Sequence, residues 1–257
     1  MKHTFLTSVV LLIVATTTGS AQNRYTITGY LTNQANAEIK LSYRESGRPV
    51  TASVYATNGS FTLSGPAPSR PVVATLNTGV DRNIHLGLSK RSMFVAPPPL
   101  TFVLTSNSHL TVSGSAAGIH LAKVEGDEFN RAFNELRQVE LPHTQESDRL
   151  RQEFADIKIT GNDDQLKELG PKMLKNRHEL AAVQKQFING HPTALASVWL
   201  LARMEKDYEP EEYKKAFETL APELQCSEFG QQVAAAIESP STSKNPKAAS
   251  SSEAKSK

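Results

Sequence analysis

The chain has 257 residues, a single cysteine (Cys226), and 28 Lys/Arg against 26 Asp/Glu, for a net charge of +2. One cysteine excludes an internal disulfide, so a buried core has to supply the stability. The near-neutral balance excludes the global basic charge by which nucleic acid is held.

The first residues, MKHTFLTSVVLLIVATTTGSAQ, have the pattern of a secretory signal peptide over residues 1–21. Lys2 supplies the positive start, residues 5–14 form a short apolar stretch, and Gly19-Ser20-Ala21 places small residues where a signal peptidase reads. Cleavage is expected between Ala21 and Gln22, giving a periplasmic or secreted location. The apolar run is too short to span a bilayer, and no later stretch approaches the roughly 20 apolar residues a membrane helix requires. No transmembrane segment is therefore expected in the mature chain.

Residues 22–125 read as strands. Tyr25, Ile27 and Leu31 alternate with polar neighbours, as do Ile39, Leu41 and Tyr43, and then Val50, Ala52 and Val54. A period of two marks half-buried strands. Asn58-Gly59 then precedes Phe61 and Leu63, a pattern that predicts a hairpin because both turn positions need positive φ. Further strands are predicted over 72–76, 100–104 and 110–112, with Pro97-Pro98-Pro99 marking a connection or an edge. The expected architecture is an antiparallel β-sandwich or barrel-like domain.

Residues 126–238 change to the helical period, completing an α+β class. Phe129, Phe133 and Leu136 share one face; Leu150, Phe154 and Ile157 form a second stripe after Pro142. Leu166, Leu169, Met173, Leu180, Val183 and Phe187 form a third, which Gly170-Pro171 should kink or restart. Its near-heptad fits the inner face of a helical hairpin better than a coiled-coil seam. Pro192 is expected in the first turn of the next helix, Pro210 opens another, and Ser227 caps the last. Residues 239–257 hold no large apolar side chain and are expected to be disordered.

Charge is segregated along the chain: nine Lys/Arg against four Asp/Glu over 22–125 (net +5), and fourteen against twenty-one over 126–238 (net −7). Two such regions attract at close approach.

The chemistry-bearing motifs are few. No histidine pair has metal-chelating spacing, although His109 and His120 could converge from neighbouring strands. Gly114-Ser115-Ala116-Ala117-Gly118 lacks the G-x-S-x-G of a nucleophile elbow and reads as a turn. The phosphate-binding glycine motifs are absent. Asp163-Asp164 and Glu211-Glu212 fall at helix starts, where they complement the dipole. No metal, nucleotide or other cofactor is called for. Cys226 is the one candidate reactive group, placed just before a helix N-terminus that favours the thiolate. Because free cysteines are usually buried, a half-buried inert thiol packed between Leu224 and Phe229 is expected, with an exposed, chain-linking thiol as the alternative.

The segments YTITGYL, AEIKLSYR, NGSFTLSG, LTVSGSAAGIHLAKVEGDEFNRAF, FINGHPTALASVWLL and LAPELQCSEFGQQVAAAIE follow one order. Over roughly residues 24–238 the chain resembles the N-terminal region of exported thiol–disulfide oxidoreductases typical of Bacteroidetes. The β-rich part is similar to the domain of unknown function 4369. The resemblance implies a thioredoxin-like domain with a C-x-x-C motif further on. This sequence departs there, since a Ser/Lys/Ala-rich stretch follows Ile237 and no C-x-x-C occurs, and dithiol exchange needs two thiols. The expectation is an exported, non-catalytic binding or interaction module of the bacterial cell envelope. The alternative is an accessory subunit of a separately encoded thioredoxin-like reductase.

Overall fold

The computed structural model describes residues 23–33, 36–85, 92–161 and 163–239. The proposed cleavage pair Ala21 and Gln22, and the Ser/Lys/Ala-rich residues 240–257, lie outside the described residues.

Two four-stranded sheets face each other. Sheet A runs β10 (Lys123–Glu125), β9 (His109–Ser115), β1 (Arg24–Thr32), β4 (Ser60–Pro66); sheet B runs β3 (Arg48–Tyr55), β2 (Glu38–Glu45), β5 (Val72–Asn77), β8 (Leu100–Leu104). A small ribbon pairs β6 (Arg82–His85) with β7 (Ser92–Val95). The alternation expected from sequence fills the space between the sheets: Ile27, Leu31 and Leu110 from sheet A meet Ile39, Leu41, Leu76 and Phe102 from sheet B. Each such side chain contributes about 1.5–3 kcal/mol by leaving water. The fold is thus a sandwich, not a barrel.

Two expectations for the strands are corrected. Asn58 and Gly59 do take positive φ (52° and 78°), and Thr57 and Ser60 exchange backbone hydrogen bonds across them at 2.8 and 3.0 Å. Yet the flanking strands part immediately, β3 into sheet B and β4 into sheet A, so the turn is an arch between sheets. The true hairpin of β3 is with β2, through Ser46-Gly47, both also at positive φ. Sheet A is also mixed, because β1 pairs antiparallel with β4 and parallel with β9.

Two long helices follow, α1 (Phe129–Thr160) and α2 (Asp163–Gly190). At 1.5 Å per residue they are about 48 and 42 Å long. Neither proline breaks its helix, contrary to the sequence expectation: Pro142 lies inside α1 and Pro171 inside α2. Both prolines are exposed, so water can satisfy the carbonyl each one frees. Hairpin packing on either side, through Phe133, Leu136, Leu150 and Ile157, carries α1 across the gap.

The inner face of α2 also differs from the expected stripe. Leu169 and Phe187 are buried, but Met173 is turned outward and Asn176 occupies the interior. Asn176 donates to the His143 carbonyl (3.0 Å) and the Ser147 hydroxyl (2.8 Å) of α1. Nearby, Gln184 donates to Glu140 at 2.6 Å. A polar layer thus interrupts the apolar seam.

Four shorter helices close the fold: α3 (Leu195–Leu201), α4 (Pro210–Glu218), α5 (Pro222–Gln225) and α6 (Glu228–Glu238). Pro192 precedes α3 without entering it, and its carbonyl accepts the Ala221 N–H at 2.9 Å. Ser227 caps α6 as its sequence position predicts, accepting the Gly230 N–H at 3.1 Å. The helical core includes Val198, Leu201, Tyr213 and Val233, and it takes in Val103 and Val73 from the outer face of sheet B. Sheet B is therefore covered on its outer face along β5 and β8. Among the described residues, no helix is long and apolar enough to cross a membrane.

Candidate groove between sheet and helices

The helices cover β8 and β5 but leave β2 and β3 open, and a groove of about 1220 Å³ lies in the gap. Its floor is the outer face of sheet B. Strand alternation that buries Leu41 and Tyr43 turns Ser42 and Arg44 outward, and the same parity presents Thr51 from β3 and Val73 and Thr75 from β5. Thr75 donates from its hydroxyl to the Ser42 carbonyl at 3.3 Å, tying neighbouring strands. The walls are the first turn of α1, the turn ahead of α3, and the junction of α5 with α6.

Two asparagines hold α1 in place. Asn130, fully buried, accepts the Val103 N–H at 2.8 Å and donates to the Val103 carbonyl at 2.9 Å. One turn later, Asn134 does the same with Val124, at 3.2 and 2.7 Å. Val103 lies on β8 and Val124 on β10, the edge strands of the two sheets on one side of the sandwich. Each amide completes an edge ladder in place of another strand. Arg137 adds a bond to the Thr101 carbonyl at 2.7 Å, and burial pulls its guanidinium down to about 10, still protonated at neutral pH.

The lining mixes apolar and charged groups. Phe129, Leu195 and Phe229 face Arg44, Arg70, Arg131 and several glutamates. Arg70 lies 3.8 Å from Glu228. His191 stacks on Phe187 with ring centroids 4.3 Å apart, its Nδ1 is 3.0 Å from the Phe187 carbonyl, and its Nε2 is 3.1 Å from Glu135. Both ring nitrogens thus lie within hydrogen-bond distance of an oxygen.

Cys226 belongs to this lining and is exposed, which corrects the expectation of a half-buried thiol. The reason is local. In the single turn of α5, Leu224 points into the core, and two helical residues further on a side chain lies roughly 200° round, facing out.

The remaining candidates do not converge with it. His143 binds Asn176 within the hairpin (3.2 Å), and His109 is exposed at the start of β9. His120 is half-buried in the turn between β9 and β10; burial, reinforced by Arg82, lowers its pKa, and its Nδ1 has no hydrogen-bond partner. Beside it, Arg82 pairs with Asp148 of α1 at 2.5 Å. Of the Gly114–Gly118 stretch, Gly114 and Ser115 end β9 and only residues 116–118 form the predicted turn, with the Ala116 carbonyl held by the Thr78 hydroxyl at 2.8 Å. No group of three His, Cys, Asp or Glu suited to a metal ion occurs among the described residues. Sequence reasoning singled out none of the groove's arginines. The available signal was the outward parity of Ser42 and Arg44 on a strand whose other face, Ile39, Leu41 and Tyr43, is apolar.

No family profile, curated protein or solved structure matches this chain.

Proposed function

We propose that the chain is an exported, non-catalytic binding module of the bacterial cell envelope, taking its ligand in the groove between sheet B and the helices. The observation that carries this is the groove itself. At about 1220 Å³ it exceeds the usual range of small-molecule sites, roughly 300–1,000 Å³. Apolar side chains and both signs of charge alternate around it, which suits an extended, amphipathic segment better than a small metabolite. The asparagine anchors support the reading, since a wall pinned to both sheet edges leaves little ordering for a ligand to offset.

The test is comparative capture from the envelope fraction, read by mass spectrometry. A Thr75→Trp variant fills the floor, and Leu174→Asp on the exposed face of α2 serves as control. The partner captured by wild type should persist with Leu174→Asp and disappear with Thr75→Trp. Identical capture by all three sinks the groove reading.

A second reading, an accessory subunit of a separately encoded thioredoxin-like reductase, is favoured by one observation: Cys226 lies exposed on the groove. It requires the Cys226 thiolate to attack the partner's oxidised C-x-x-C disulfide, forming a mixed disulfide with one partner sulfur and releasing the other as a thiolate. Absence of any Cys226-dependent, reductant-sensitive conjugate in the envelope would remove it.

A further inference from the structure

The four sheet edges are not treated alike. The β8 and β10 edges are closed by Asn130 and Asn134, whereas β3 and β4, on the opposite side of the sandwich, have no such cap among the described residues. Natural sheets protect an open edge with charge, proline or a bulge. Arg48 and Pro49 supply a charge and a proline at the start of β3, but the run Val50-Thr51-Ala52-Ser53-Val54 beyond them carries neither, and β3 pairs with β2 in unbroken register.

Hydrogen-bond parity shows what this edge offers. Ala56 donates to the Ala37 carbonyl at 2.8 Å, so residues 37 and 56 form a hydrogen-bonded pair, and so by alternation do 39 with 54, 41 with 52 and 43 with 50. Thr51, Ser53 and Tyr55 therefore direct N–H and C=O away from β2, towards the open side. Pro49 falls in the same set, at a place where its missing N–H costs the existing sheet nothing.

The edge is close to a chemical palindrome about Ala52. In an antiparallel pair of two β3 strands, Thr51 of one meets Ser53 of the other with both backbone bonds made. Val50 meets Val54 on the inner face, and Pro49 meets Tyr55 on the outer. Tyr55, at 72% the most exposed large apolar side chain described, would gain a cover, and so would half-buried Val50, Ala52 and Val54. The β4 edge lacks this, since its inward Phe61 and Leu63 are already buried.

We infer that β3 is a homodimerisation edge: a second copy of this chain pairs its own β3 antiparallel, centred on Ala52, to make one continuous eight-stranded sheet. The inference is independent of what the groove binds. A twofold axis normal to the sheet puts both helical layers on one face, with the two grooves flanking the axis.

The test uses the mature chain in a Cys226→Ser background, which removes any dimer made by that thiol. Sedimentation equilibrium should show a reversible dimer at tens of micromolar, and Ser53→Pro, which removes an outward N–H only, should weaken it at least tenfold with an unchanged circular-dichroism spectrum. Because Ala52 faces its symmetry mate in a non-hydrogen-bonded pair, with Cα atoms about 4.5 Å apart, Ala52→Cys should oxidise to an interchain disulfide within that dimer. Thr62→Cys on β4 should not. Should Ser53→Pro fail to fold, the cysteine pair alone decides. A monomer at these concentrations, a dimer indifferent to Ser53→Pro, or a crosslink at Thr62→Cys instead of Ala52→Cys would each overturn the inference, including the outcome in which the edge serves a different protein's strand.

Discussion

At the scale of single residues, the most consequential side chain is Asn130. It satisfies both polar groups of Val103 in a site without water access, so truncation strands a buried N–H and a buried C=O together. Each orphaned group costs about 1–3 kcal/mol, and Asn130→Ala is expected to lose about 2–4 kcal/mol of unfolding free energy. Asn134→Ala should lose less, because Asn134 is only half-buried. Urea titration of both variants checks the order, and equal losses would show that burial is not what sets it. Cys226 gives a second residue-scale expectation. Being exposed, it should react with iodoacetamide in the folded protein about as fast as in the denatured one. Protection until unfolding would contradict the outward geometry of α5.

Within elements, α2 contains a residue whose effect can be read from empty space. Gly170 lies in a helix interior, and a Cβ built there meets nothing within 4 Å beyond the adjoining helix backbone and its chain neighbours, one of which is Pro171. Gly170→Ala should therefore gain less than the roughly 1 kcal/mol that helix propensity and a less mobile unfolded chain favour, because the Pro171 ring crowds the Cβ of the residue before it in the helical region. A gain of the full amount would show that the Pro171 ring does not crowd that position. The hairpin's polar layer adds a pH dependence. Burial raises the Glu140 carboxyl above its ordinary 4.5, against the opposing pull of Gln184 and Arg137. Between that ordinary value and the raised one the folded chain holds the proton more tightly than the unfolded chain, so stability falls as pH rises through the window. Glu140→Gln should flatten that slope, as urea midpoints across the same pH range will show; an unchanged slope assigns it elsewhere.

Strands β1 to β5, β8 and β9 were legible in the sequence because each side chain's face follows from period two, whereas β6, β7 and β10, of three or four residues each, were too short to show it. Ser227 as a cap and Asp163-Asp164 as a helix start were legible because both depend on local backbone geometry. What was not legible needed distant partners. The Asn58-Gly59 turn formed, but only the pairing of β1 with β4 decides that it joins two sheets. Pro142 and Pro171 sit inside helices because hairpin packing outweighs a lost hydrogen bond. Cys226 faces out because α5, which the sequence reading did not anticipate, gives the core position to Leu224.

For the whole molecule, covering one face of one sheet with helices buries the apolar seam through Val73 and Val103 and leaves β2 and β3 as an open shelf. The groove is a product of this incomplete coverage, not of a motif, which is why no local pattern announced it. With a single thiol in the chain, the purified protein should not accelerate insulin reduction by dithiothreitol. Turnover surviving rigorous repurification would end the non-catalytic reading. Sheet A also sets a timetable. Thr28 of β1 bonds to Leu110 of β9, 82 residues downstream, while β4 on the other flank of β1 is made early. At synthesis speeds of roughly 5–20 residues per second, β1 waits about 4–16 s with one flank bare. During that interval the newborn chain carries an open apolar strand that the finished protein never displays, and its vulnerability to aggregation is concentrated there.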